Sequence, residues 1–155
     1  MDRQEQIEVL LDHFNNPRGR QKLEPADVVM PGGNPGCGDV VTMYVKVRDG
    51  TDPEQIGEVS FVGSGCTISQ AAASILMEMI NGDKPTLEQV LEMDYEDMVD
   101  VLGRETVSSR PRCATLALGT LKAAIRRYQR EKLRREHGLP PGESPTEEEI
   151  EEFLI

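Results

Sequence analysis

The chain has no tryptophan, three tyrosines and three phenylalanines in 155 residues, too few to build an aromatic platform for stacking unpaired bases. It also lacks an excess of positive charge. Its 17 Lys and Arg stand against 28 Asp and Glu, for a formal net charge of −11, which argues against a nucleic-acid backbone as partner. No apolar run approaches the ~20 residues that span a bilayer. The start, MDRQEQIEVLLDHF, does not show the basic-then-apolar pattern of a secretory signal. The expectation is a cytoplasmic protein with no nucleic acid and no membrane among its partners. There are two histidines, His13 and His137, and neither is marked as a catalytic base, which weakens a thiol hydrolase. Cysteine is scarce too: Cys37, Cys66 and Cys113 are an odd count with no C-x-x-C pair. Zinc-ribbon and thioredoxin motifs are therefore missing, and a closed disulfide framework is excluded.

What the chain does contain is a clear sequence of elements. Ile7, Leu10, Leu11 and Phe14 predict an amphipathic helix over residues 3–15, stopped by NNPRGR. Residues 27–30, DVVM, are a short strand candidate before a Pro-Gly loop. DVVTMYVKV and IGEVSFVG predict two strands of a hairpin, with Val41, Met43 and Val45 or their alternates buried. The next helix carries Ile68, Ala71, Ala72, Ile75, Leu76, Met79 and Ile80 on one face, with Asn81-Gly82 as its stop. Thr86 and Asp94 cap two short helices, and RETVSSRPR reads as irregular. A last long helix runs from near Cys113 to about His137, with Ala117, Leu121, Ala124, Ile125 and Tyr128 as its apolar face. It turns basic at Arg126, Arg127, Arg130, Lys132, Arg134 and Arg135, and the segment ESPTEEEIEEFLI after it is acidic, with a capping box at Ser144 and Glu147. The two charge runs are either solvated helix faces, or the acidic tail folds back on the basic helix or the basic face docks a partner.

All three cysteines stand at element boundaries. Cys37 lies in GGNPGCGDVV, where a turn, a nucleophile, a metal ligand and half of a disulfide are all open readings. Cys66 and Cys113 precede or begin helices, where free N–H groups and the helix dipole favour a thiolate. Arg110 and Arg112 beside Cys113 are expected to favour the anion further. Asp39 is either a turn residue or, two positions after Cys37 on a strand, a ligand sharing its face. Three thiolates and one carboxylate make the four donors of a tetrahedral zinc site.

The motifs NPGCGD, GSGCTISQAAAS and RCATLALGTLKAAI, with DHFNNPRG near the start, resemble the NifU-N/IscU/SufU family of iron–sulfur cluster assembly proteins over residues 5–128. The resemblance implies that Cys37, Asp39, Cys66 and Cys113 gather at one end of a small α+β fold. They would hold zinc or a [2Fe–2S] cluster and accept persulfide sulfur from a cysteine desulfurase, with Cys113 as the sulfur acceptor. It implies apo iron–sulfur proteins or carrier proteins as recipients. Arg112 stands where IscU-type members have His, and VSSRPRC lacks their LPPVK motif. GCTIS and RCATL look more like SufU, although the segment between Cys66 and Cys113 is shorter than in typical SufU proteins. Two functions follow: a cluster-assembly scaffold, or a zinc-dependent sulfurtransferase that activates the desulfurase without holding a cluster. A structural zinc module is disfavoured, because single ligands on separate loops make a poor staple.

The expected fold is α+β, a three-stranded, mainly antiparallel sheet with helices on one face and the site at one end. Residues 1–137 form the domain and residues 138–155 an acidic extension.

Overall fold

The computed structural model describes residues 2–34 and 38–139, without the side chain of Asn34. Cys37 and the acidic segment with its capping box at Ser144 and Glu147 lie outside the described residues. Along the chain come α1 (Arg3–Asn15), β1 (Val28–Asn34), β2 (Asp39–Val47), β3 (Ile56–Ser64), α2 (Thr67–Asp83), α3 (Leu87–Glu92), α4 (Tyr95–Leu102), α5 (Arg104–Val107) and α6 (Pro111–Glu136). The strands form one antiparallel sheet in the order β1-β2-β3, the α+β architecture expected. No helix among the described residues is long and apolar enough to cross a membrane.

The hairpin resolves the question of which face is buried. Val41, Met43, Val45 and Val47 of β2 join Ile56, Val59 and Phe61 of β3 in one cluster with Leu76, Met77 and Ile80 of α2 and Leu118, Leu121 and Ile125 of α6. Alternation puts Thr42, Tyr44 and Ser60 on the other face, and these are buried as well. The chain preceding β1 accounts for two further sheet contacts: Gly19 C=O accepts from Phe61 N–H at 2.9 Å, and Asp27 N–H donates to Val45 C=O at 2.9 Å.

β1 extends through PGGN, where the sequence reading placed a loop. An edge strand tolerates Pro31 because one side of its backbone needs no ladder bond. Gly32 has a packing reason: a Cβ there would lie 2.0 Å from Thr120 Oγ1. Its bare backbone lets α6 lie close over β1.

Helix ends follow local chemistry. Thr86 forms a full capping box with Gln89, and the Asp94 side chain accepts from Glu96 N–H. α6 opens with Pro111 in its first turn. Two ends differ from expectation. α2 runs past Asn81-Gly82 to Asp83, because the Asn81 amide turns onto β3, accepting from Val59 N–H at 2.9 Å and donating to Val59 C=O at 3.0 Å. RETV, read as irregular, forms the single helical turn α5. Lys122, buried on α6, donates to the Met93 carbonyl and sits 4.4 Å from the centroid of the Tyr95 ring, tying α6 to the start of α4.

α1 is helical as predicted but turned differently. Leu10 and His13 are buried, while Ile7, Leu11 and Phe14 are 38%, 45% and 39% exposed. The reason is the contact with α2. Leu10 packs into a cluster with Ala71, Ala72 and Ile75, whose small residues admit the α1 backbone. His13 Nδ1 lies 2.7 Å from Ser74 Oγ, which also accepts from Arg18 N–H at 2.7 Å. The Ser74 hydroxyl, with one proton and two lone pairs, serves Arg18 N–H as acceptor and pairs with Nδ1 of His13 in either neutral tautomer.

Burial, and then the Arg18 charge, hold the His13 pKa below its ordinary value, against the opposing pull of Glu78 and Asp12. The unfolded value is about 6.5. Folding therefore favours neutral His13. Its contribution is fully present above about pH 6.5 and is lost as the pH falls through the lower folded value. Urea midpoints measured from pH 7.5 down to pH 5 are expected to decline, and His13→Asn is expected to flatten that decline. Ser74→Ala is expected to cost about 1–3 kcal/mol at neutral pH, by leaving Arg18 N–H and His13 without their partner.

Candidate metal centre

Antiparallel pairing places the start of β2 beside the end of β3. Val40 pairs with Ser64 and Asn34 with Asp39. Asp39 therefore stands next to Gly65-Cys66, where β3 turns into α2. The first turn of α6 covers the same end, because α6 packs across β1, β2 and α2. Three segments distant in sequence thus bring Asp39, Cys66 and Cys113 together, with one donor atom of each within 4.8 Å of the others. Among the four residues expected at the site these three are described; Cys37 is not.

Asp39 is 0% exposed. Its Oδ1 accepts from Cys66 N–H at 2.7 Å and from Ser69 Oγ at 3.0 Å, and its Oδ2 from the Cys113 thiol at 2.9 Å. Burial alone would raise its pKa. The bonds from Cys113, Cys66 and Ser69 together outweigh burial and hold the carboxyl below its ordinary value. Asp39 is thus an anion held by three hydrogen bonds from the starts of α2 and α6, not a turn residue.

Cys66 is the N-cap of α2, and its sulfur accepts from Ser69 N–H at 3.4 Å. Sulfur here takes the place of the usual serine or aspartate oxygen. Cys113 lies three positions after the Arg110 cap of α6 and is 1% exposed. Two helix N-termini converge on the site, as the sequence suggested. The expectation that Arg110 and Arg112 would favour a Cys113 thiolate needs correction. Burial, then the Asp39 acceptor and the neighbouring Cys66, push the Cys113 thiol well above its ordinary value. Arg110 and Arg112 belong to exposed positions, where solvent screens their charge.

Sequence reasoning missed Ser69, and it read Gly65, beside Cys66, as room for a bound ion where the structure shows room for the Asp39 carboxylate. Gly65 adopts φ +151°, and a Cβ there would lie 2.2 Å from Asp39 Oδ1 and 2.9 Å from Ser69 Oγ. A side chain at this position is incompatible with the carboxylate. Ser69 serves both ends of the arrangement, its N–H on Cys66 sulfur and its hydroxyl on Asp39. The spacing of Cys66 and Ser69, N-cap and third helical residue, was the available signal. Beside Gly65 a cavity of about 190 Å³ opens between Phe14, Pro17, Arg20, Phe61 and Gln70.

Removing support from Asp39 should loosen any cation held here. Ser69→Ala is expected to weaken Zn²⁺ binding about tenfold or more, measured by competition with a chromophoric chelator. Gly65→Ala should weaken it further. Unchanged zinc affinity in both variants would show that Asp39 has no part in holding the ion.

A family model of the NifU-like N terminal domain matches residues 5–135. The iron–sulfur cluster assembly scaffold protein IscU of Aquifex aeolicus is 37% identical over 145 residues, covering 94% of this chain and 89% of that protein. The zinc-dependent sulfurtransferase SufU of Bacillus subtilis is 29% identical over 135 residues, covering 76% of this chain and 87% of that protein. Among solved structures, a protein proposed as a SUF-system cluster assembly scaffold in Fervidobacterium islandicum AW-1 is similar with a TM-score of 0.64 at 26% identity, over 76% of this chain and 94% of that one. On the match of the family model across most of its length, and on relatives such as the 37% identical IscU, this chain belongs to the NifU-N family that includes the IscU and SufU proteins.

Proposed function

We propose that the protein is a cytoplasmic iron–sulfur cluster assembly scaffold. In this reading it receives sulfur from a cysteine desulfurase, assembles a [2Fe–2S] cluster as cargo, and passes it to apo-proteins or carriers. The observation that carries the reading is the convergence of Asp39, Cys66 and Cys113 donor atoms within 4.8 Å. Cys37, two positions before Asp39, supplies the fourth donor. Two sulfurs and one oxygen with a third sulfur suit zinc or an iron–sulfur cluster better than magnesium or calcium, which take oxygen donors. A cation bound here would hold the cysteines as thiolates, displacing the proton that Cys113 now donates to Asp39.

The residues have separable roles in sulfur acceptance. The Cys113 thiolate attacks the terminal sulfur of the donor persulfide. A new S–S bond forms at Cys113 as the donor's S–S bond breaks, and the donor leaves as a thiolate, with no net oxidation. Without a cation the Cys113 proton stays on sulfur, donated to Asp39 Oδ2, so the thiolate that attacks is the one a bound cation would supply. The exposed stripe Ile7, Leu11 and Phe14 ends at the cavity beside Gly65, which supports approach of a partner from the α1 side.

As the harder donor, Asp39 makes the hold on the cluster labile and aids its release. Asp39→Ala is expected to lengthen the lifetime of the visible absorption band of reconstituted protein during transfer to an apo-acceptor. An unchanged lifetime would remove Asp39 from the release step.

The second reading, a zinc-dependent sulfurtransferase, is favoured by Arg112 before Cys113 and by the likeness to SufU. Metal and sulfide analysis of protein purified without oxygen, repeated for Cys→Ser at positions 37, 66 and 113, separates the two. Iron and sulfide in equal amounts, lost in each variant, support the scaffold. Zinc alone, with stimulation of desulfurase turnover by the zinc-loaded protein, supports the sulfurtransferase.

A further inference from the structure

At the far end of α6 from the cysteines lies a surface that the assembly function leaves unused. Ala123, Arg126, Arg130 and Leu133 recur at spacings of three and four, which places them on one helical stripe. With Met30 of the edge strand β1 they line a shallow cavity of about 510 Å³. Leu133 is 54% exposed, an apolar side chain left on a basic surface. Lys132, on another side of the helix, is already engaged by Glu54 at 2.8 Å. Among the described residues Arg126 and Arg130 enter no ion pair.

The chain itself supplies a matching segment. Residues 143–155, ESPTEEEIEEFLI, carry six glutamates, with Ile150, Phe153 and Leu154 at helical spacing among them. Ser144, Pro145 and Glu147 provide a helix start. Beyond the end of α6 at Glu136, Pro140, Pro141 and Gly142 directly follow the last described residue, Leu139, a composition that favours a reversal of the chain. A helix over residues 146–155 is about 15 Å long at 1.5 Å per residue, and the stripe from Ala123 to Leu133 is about 15 Å by the same rise. Length, charge sign and apolar spacing agree.

We propose that residues 143–155 fold back antiparallel to α6, seating Ile150, Phe153 and Leu154 against Met30, Ala123 and Leu133, with the glutamates facing Arg126 and Arg130. The acidic extension is then an intramolecular clamp on the β1–α6 face, not a solvated tail. Burial of the three apolar groups supplies the attraction, and opposite charge fixes the direction and makes docking salt-sensitive.

The test uses the full chain. The ¹H–¹³C signal of the Met30 methyl and the amide signals of residues 123–133 are compared between the natural sequence and Ile150→Ser/Phe153→Ser/Leu154→Ser. These are expected to move in the triple variant, with α1 signals unchanged. In Arg126→Glu/Arg130→Glu, the amide signals of residues 150–154 are expected to move. Raising salt should shift the natural sequence towards both variants. Absence of movement at the groove, or movement mapping to another face, overturns the proposal. So does a groove response that disappears on dilution, which would assign the contact to a second copy of the chain.

Discussion

The buried carboxylate of Asp39 is the constraint around which the rest of the molecule is organised. An ion in a protein interior costs several kcal/mol unless its lone pairs are satisfied. Asp39 meets that requirement with a backbone N–H from the start of α2, a hydroxyl one turn on, and the thiol at the start of α6. One side chain therefore joins the beginning of β2 to the beginnings of both major helices. Displacing any of the three leaves a buried anion short of a donor. The close approach at Gly65 and the cysteine N-cap of α2 are the local adjustments that make room for it.

The remainder of the fold holds those three beginnings in place. The hairpin core locks α2 and α6 against the same face of the sheet. Gly32 lets α6 settle directly on β1, the strand that leads towards Cys37. α1 is fixed to α2 through Leu10 and the His13–Ser74 contact, on the flank of the site. Its half-exposed Phe14 lines the cavity beside Gly65. The donors stand singly on separate elements, in contrast to a structural zinc staple with ligand pairs on tight turns.

Much of this architecture was legible in the sequence because the signals were strong where they mattered. The alternation in β2 and β3, the caps at Thr86 and Asp94, and the apolar faces of α2 and α6 follow directly from period and capping chemistry. The cysteines were placed by their positions at element ends, and family motifs joined them into a set. Tertiary packing decided what local pattern did not. Periodicity identified α1 but could not say that His13 would replace Phe14 on the buried side. The glycines of β1 read as a loop because a close approach to Thr120 has no local signature. The state of the Cys113 thiol was misjudged because sequence shows adjacent arginines but not burial against a carboxylate.

The three gathered donors have a consequence for the order in which the molecule forms. Cys66 reaches Asp39 across a sequence separation of 27 residues, and Cys113 reaches it across 74. The intervening chain must be organised before such distant contacts are repaid. The hairpin and the following turn can bring the first pair together early, whereas the last partner waits for the docking of α6. During synthesis the segment bearing Cys113 also leaves the ribosome after the other two. The Asp39, Cys66 and Cys113 group is thus complete only once α6 has docked.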